Sequence, residues 1–346
     1  MVSPAHNVAR RQFLAGLAAL GAGALLPAPE AEAQMPPSTA HRIDVHHHHT
    51  PPPYLAALTA RNVTGPVRDW TPDKSIADMD AAGVATALTS ITTPALRFLD
   101  EAGARRVARE CNEYSARLVA DSRGRFGMFA AMPMPSVEGT LREIGYALDT
   151  LKADGIALLT SYGDKWLGDP TFTPVLEELN RRRAVVYTHP TTADCCGRLI
   201  PDVPESVIEW GTDTTRTIAS LVFSGAAARL HDLTLIFSHG GGTLPFLTER
   251  FLRLPLANPQ LAARVPNGVE HELKRFYYDT AQAAHPYALA SLTKLVAVSH
   301  IVFGSDFPYR SAAEHAKGLM DHGFQAGDLR AIERDNALRL MPRLKA

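Results

Sequence analysis

A chain of 346 residues with three cysteines and a formal net charge of −1 excludes several protein classes at once. It is long enough to bury a large core without disulfide staples, and so sparse and odd a cysteine count is no disulfide framework. The near-neutral charge supplies no basic field for nucleic acid or anionic lipid, and 46% hydrophobic with 21% charged residues is ordinary globular composition.

The first residues read as an address. Arg10-Arg11-Gln12-Phe13-Leu14 opens an apolar stretch ending at Leu26, followed by Pro27, Pro29 and an A-x-A cleavage pattern at Ala31-Glu32-Ala33. The stretch is short for a bilayer span, and its paired arginines make residues 1–33 a twin-arginine-type signal peptide. An ordinary secretory leader or an uncleaved anchor is the competing reading. Residues 34–41 read as a linker, and residues 42–346 as one folded domain with no membrane span. The expected location is periplasmic or exported, with the cytoplasm as the alternative.

From Arg42 onward, short apolar runs alternate with segments of helical period. The runs are Ile43–Val45, Val84–Ser90, Phe126–Met132, Gly155–Thr160, Ala184–Thr188, Leu233–Ser238, Arg275–Asp279 and Ile301–Ser305. Near-continuous apolar runs of this kind are parallel strands covered on both faces. Between them lie helical patterns at Ser75–Ala82, Arg105–Ser122, Ser136–Ala153, Pro174–Arg183, Thr214–Leu230 and Pro286–Leu295. The alternation fits a doubly wound sheet or a closed barrel. Polar residues collect at the C-terminal ends of several strands, which selects an α/β fold of the (β/α)8 TIM-barrel type. Thr50–Thr71 is expected to be a long loop at the barrel mouth. The neighbouring Cys195 and Cys196 are expected to pack in a loop rather than bond to each other.

The chemistry lies at four strand ends. The first reads Asp44-Val45-His46-His47-His48-His49, the fifth Thr188-His189-Pro190, the sixth Ser238-His239-Gly240-Gly241-Gly242, and the eighth Gly304-Ser305-Asp306-Phe307-Pro308. Residues two apart on a strand share a face, so His46 and His48 point into the mouth and His47 points away. With His189 and Asp306 they make three imidazoles and one carboxylate, a donor set for a divalent first-row ion, zinc first and manganese second. Each strand end alone is a weak signal, since a lone histidine there is more often a hydrogen-bonded structural residue. Their coincidence on four strands carries the argument.

Together these motifs resemble the amidohydrolase superfamily, and within it the decarboxylase branch that includes aminocarboxymuconate semialdehyde decarboxylase and 6-methylsalicylate decarboxylase. The resemblance spans roughly Arg42 to Met341. It implies that His46, His48, His189 and Asp306 are the metal ligands and that His239 moves protons, with Asp306 as its catalytic companion. It implies that Arg250 reaches into a neighbouring subunit's site, hence a homodimer, and that Arg68 is the nearest candidate to hold a substrate carboxylate. The superfamily's dinuclear members carry a bridging lysine after the fourth strand. Here that strand runs into Thr160-Ser161-Tyr162, with no lysine before Lys165, which favours one metal ion. His285 and the aromatic residues Tyr54, Trp70, Trp166, Phe307 and Tyr309 are further candidates to line the mouth. The expected activity is a metal-dependent carboxy-lyase releasing CO2 from a small aromatic or unsaturated carboxylic acid. A metal-dependent hydrolase of an ester, lactone or amide is the alternative, and a non-catalytic metal-dependent binding protein the third reading.

Overall fold

The structure is a computed structural model and describes residues 41–345. The signal-peptide reading and all but the last residue of the linker fall outside the described residues. Eight parallel strands run in sequence order around the domain: β1 (Arg42–His48), β2 (Val84–Ser90), β3 (Phe126–Ala131), β4 (Gly155–Leu159), β5 (Val185–His189), β6 (Thr234–Phe237), β7 (Tyr277–Asp279) and β8 (Ile301–Val302). Each pairs with the next, with registers such as Leu159 opposite His189 and Val302 opposite Asp279. The ring closes where the segment after β8 returns to β1. Val45 N–H donates to Phe303 O at 2.9 Å, Asp306 N–H to His46 O at 2.8 Å and His48 N–H to Phe307 O at 2.8 Å. The (β/α)8 barrel expected from the alternating pattern is the fold observed.

Two apolar layers hold it. Inside the barrel, Ile43, Val45, Leu88, Phe129, Val185, Tyr187, Ile236 and Val302 pack together, and Ala337, Leu338 and Met341 join the same cluster. Outside, strand residues such as Met128, Val186 and Phe237 meet the helices in the larger cluster. This double burial is why the strands read as unbroken apolar runs rather than as alternating ones. The helices begin where the local chemistry asks for it: Asp100, Ser136 and Ser311 each accept a backbone N–H of the first turn.

Three local expectations are corrected. Thr50–Thr71 is not a bare loop: Pro52–Ala60 is helical and Pro66–Asp69 forms a tight turn. Proline is tolerated in a first helical turn, and burial of Tyr54 and Leu58 supplies the stability that periodicity did not advertise. The first strand runs three residues past the apolar signal, through His48. The adjacent Cys195 and Cys196, expected to stay apart, are joined as a disulfide at a short turn after β5. No helix among the described residues is long and apolar enough to cross a membrane.

Candidate active site

A register irregularity in β1 prepares the site. Ile43 and Val45 face the barrel interior, so strict alternation would turn His46 outward. Pairing with β2 shifts between Asp44 and His47, and past that irregularity His46 and His48 both face the mouth. Their Nε2 atoms lie 3.1 Å apart. His47 turns away as expected, its ring bonded to Asp44 and Ser75 and stacked on Phe307. His189 ends β5, and its Nδ1 lies 2.9 Å from Pro190 O.

The last two functional groups sit on unusual backbone. His239 and Asp306 both have left-handed φ, 55° and 68°. Non-glycine residues hold that conformation only where the surroundings enforce it, and such strain gathers at functional sites. The glycines after His239 give the chain room to turn back: a Cβ on Gly242 would stand 2.0 Å from Gly211 O, and one on Gly241 2.7 Å from the Tyr278 ring.

These five side chains converge. One ligand-type atom each from His46, His189, His239 and Asp306 lies within 4.8 Å of the others. His48 joins through Nε2, 3.1 Å from Asp306 Oδ1. Asp306 Oδ1 is also 3.2 Å from His46 Nε2, while its Oδ2 is 3.4 Å from His239 Nε2 and accepts Gln282 Nε2–H at 2.8 Å. The tightest quartet thus contains His239 where the sequence reading had His48, and both imidazoles stand close enough to compete for a ligand position. Behind them, Asp279 Oδ2 meets His46 Nδ1 at 2.8 Å.

The electrostatics follow from crowding. Burial disfavours the charged form of His46, but the carboxylates of Asp279 and Asp306 outweigh it and push its pKa up to about 10. His189 moves the other way. Burial first, then the neighbouring imidazoles of His48, His46 and His239, hold it well below the usual histidine range. Burial would raise the Asp306 carboxyl, yet His46 and the hydrogen bonds from His239, His46 and His48 keep it well below the ordinary value.

The donor set fits a metal ion. His189 Nε2 is buried and has no hydrogen-bond partner, which is costly unless something outside the protein uses its lone pair. Three or four imidazoles with one carboxylate suit a first-row divalent ion.

A cavity of about 570 Å³ opens over His239 and Asp306, lined also by Trp210, Thr243, Gln282, His285 and Tyr309. That is room for a small aromatic acid. A second, apolar cavity of about 20 Å³ lies against His189 between Ile91, Met132, Met134, Leu159 and Tyr162. It has space for roughly one methyl group or one water.

Of the other residues singled out from sequence, His285 and Tyr309 line the mouth. Tyr54 and Trp70 are core residues, Trp166 donates to Asp213 and Phe307 packs on His47. Arg68 is not brought to the cluster: its guanidinium donates to Thr59 Oγ1 at 3.1 Å and Val63 O at 3.4 Å within its own segment. Arg250 is exposed on the helix Leu244–Ala257, with no hydrogen bond or ion pair among the described residues. Lys165 donates to Thr171 at the surface. Asp279, Gln282 and Trp210 were missed. Asp279 ends a strand that had been identified, so inspecting the end of every strand would have found it; Gln282 and Trp210 left no such signal.

The chain belongs to the amidohydrolase family, whose model matches residues 43–343. Its relatives narrow that class. It is 38% identical over 325 residues to the decarboxylase yanB of Aspergillus niger, covering 88% of each chain. It is 34% identical over 326 residues to the 6-methylsalicylic acid decarboxylase acuB of Aspergillus aculeatus, covering 88% of this chain and 97% of that one. A dihydroxybenzoic acid decarboxylase from a Polaromonas species, solved with bound manganese and the inhibitor 2-nitroresorcinol, shares the fold. Its TM-score is 0.77 at 20% identity, over 88% of this chain and 98% of that one. Within the family, then, the chain is a metal-dependent decarboxylase, and the choice between losing CO2 and adding water falls to CO2 loss.

Proposed function

We propose that the protein removes CO2 from a small hydroxylated aromatic acid, using one divalent ion held by His46, His48, His189 and Asp306, with His239 as proton carrier. The observation that carries this reading is the buried, unpartnered His189 Nε2 among three further imidazoles and a carboxylate, a cluster whose His239 and Asp306 border an open cavity. His48 is favoured over His239 as ligand because it is fully buried, with Nε2 beside both His46 and Asp306. The His239 side chain is 10% exposed and borders the cavity, so a bound substrate would meet it, although its Nε2, like that of His189, is buried without a hydrogen-bond partner. Zinc is the first choice of ion. Manganese is the second, supported by the ion in the Polaromonas enzyme.

When bound, the ion supplies Lewis-acid stabilisation of negative charge on a substrate oxygen. His239 delivers a proton to the ring carbon bearing the carboxylate, an imidazole task near neutral pH. The carbon–carboxyl bond then breaks, its electron pair restores the ring π system, and CO2 departs. Asp306 Oδ2, beside His239 Nε2 and held by Gln282, orients the imidazole and balances its charge. Trp210 and Tyr309 offer flat walls for the ring.

The substrate carboxylate calls for a fixed cation, and among the described residues the cavity's lining holds no lysine or arginine. Arg68 would have to leave Thr59 and Val63 to reach it. Arg250 is favoured, contributed by the other subunit of a homodimer, and its helix carries Phe246, 87% exposed, with the equally exposed Tyr287 on the helix Pro286–Leu295. Export through the twin-arginine route is part of the same proposal and rests on Arg10-Arg11-Gln12-Phe13-Leu14. Cell fractionation, with N-terminal sequencing that finds Gln34 first, tests it.

The deciding assay is CO2 release from 6-methylsalicylate and 2,6-dihydroxybenzoate by zinc- and manganese-loaded protein. No CO2 release from any hydroxybenzoate, alongside brisk lactone hydrolysis, would overturn the proposal.

A further inference from the structure

We infer that Asp279 is a positioning residue that sets the tautomer of His46 and the backbone of His239 together. It ends β7, is fully buried, and divides its two oxygens between the two histidines. Oδ2 faces His46 Nδ1 at 2.8 Å. Oδ1 accepts the backbone N–H of His239 at 2.8 Å and that of Ala281 at 3.1 Å.

The Asp279 side chain acts as an acceptor throughout, taking two backbone N–H groups on Oδ1, so His46 Nδ1 is the donor to Oδ2. With one ring proton fixed there, Nε2 is the nitrogen that gives up its proton and offers its lone pair when an ion binds. That atom faces the cluster, 3.1 Å from His48 Nε2 and 3.2 Å from Asp306 Oδ1. Carboxylate partners of this kind orient a histidine and raise its basicity toward a metal. The other oxygen holds the amide of His239, whose left-handed φ of 55° needs such an anchor. Gly304 keeps the arrangement tight: a Cβ there would stand 2.8 Å from His46 Cβ and 3.2 Å from Asp279 Cβ. One side chain therefore aligns a ligand-type imidazole and a proton-carrying one.

The inference rests on the metal-centre reading, and Asp279→Asn separates the two. The substituted side chain is the same size, but two backbone N–H groups claim its oxygen. Its NH2 must then face His46 Nδ1, which becomes an acceptor and drives the ring proton to Nε2. The experiment is zinc affinity by chelator competition for wild type and D279N, with folding followed by circular dichroism. Nitrogen NMR of the histidine rings reports the tautomer. The expected result is a folded variant that binds zinc roughly 10–100-fold more weakly, with its His46 proton on Nε2. In zinc-loaded wild type that proton is expected on Nδ1.

Unchanged zinc affinity in folded D279N overturns the inference while leaving the metal centre intact. Should D279N fail to fold, the wild-type spectrum decides alone: a zinc-loaded protein whose His46 Nδ1 carries no proton overturns it. Wild-type protein that binds neither zinc nor manganese overturns the metal-centre reading, and this inference with it.

Discussion

His239 Nε2 stands 3.4 Å from Asp306 Oδ2, and both residues occupy left-handed backbone at the floor of the mouth. They come from different strands, and each is locked from behind. His239 is held through its amide on Asp279, and Asp306 through its amide on His46 O. The proposed proton carrier and its companion are thus fixed by main-chain bonds, which leaves their side chains committed to chemistry.

The division of roles between histidines is open to a direct test. His189→Ala removes a buried nitrogen that nothing in the protein uses, so the variant is expected to lose its metal on dialysis. His239→Ala is expected to retain about one equivalent of metal while turnover falls by roughly 10²–10⁴-fold, the usual worth of a positioned acid or base. Metal content by mass spectrometry and CO2 release from the same samples decide it. Equal metal loss in both variants would make His239 a ligand, as the tightest quartet of donor atoms suggests, and leave His48 as its helper.

The apolar cavity against His189 makes a prediction about substituents. Ile91, Met132, Met134, Leu159 and Tyr162 enclose space for about one methyl group. Burying one such group is worth about 0.8 kcal/mol, roughly fourfold in kcat/KM. A 6-methyl substrate should therefore outperform unsubstituted salicylate by at least that factor, and a 6-ethyl one should be rejected. Leu159→Ala should reverse the order of methyl and ethyl, at a stability cost of about 2–5 kcal/mol. Identical kcat/KM for all three acids in wild type would show that the cavity takes no part in recognition.

How much of this was legible beforehand depended on the physics at each position. Strands buried on both faces leave continuous apolar runs, so all eight stood out. The first was cut short at Val45 because a run of histidines carries no apolar signal, although those residues hold the site. The register irregularity between Asp44 and His47 lies in no single residue; it arises from pairing with β2. Asp279 was identified as a strand end but not as a functional group, since a carboxylate acquires meaning only from what it faces. Arg68 and Arg250 show the opposite limit. Their proximity in sequence to the mouth says nothing about direction: one side chain is tied within its own segment and the other is exposed.

Burial of Cys111 predicts an alkaline weakness. The thiol is 1% exposed, and loss of solvation raises its pKa from the ordinary 9.0 to about 12. The native state therefore resists deprotonation that the unfolded chain undergoes freely. This contribution is fully present below pH 9 and drains away as pH rises toward 12, up to about 4 kcal/mol at 1.36 kcal/mol per unit. Urea unfolding of wild type and Cys111→Ala between pH 8 and 11 should show wild type losing stability faster with pH. A constant difference across that range would mean the thiol is not insulated. Native protein should also resist maleimide at pH 8, because neither thiolate nor access is available.

Arg250 offers the sharpest test of assembly, because the proposal places it in a neighbour's site while it stands exposed in its own chain. Arg250→Ala should weaken kcat/KM with metal content unchanged, since a charge-assisted pair to a carboxylate is lost and no ligand is touched. His239→Ala should be inactive for a different reason. Mixing the two impaired proteins and allowing subunits to exchange creates heterodimers in which one site has both His239 from one chain and Arg250 from the other. Random exchange makes half the dimers mixed, each with one competent site of two, so activity should return to roughly a quarter of wild type. Light scattering establishes the dimer independently, and differently tagged chains recovered together establish exchange. Exchange without recovered activity would confine Arg250 to its own surface and return the search for the carboxylate's partner to Arg68.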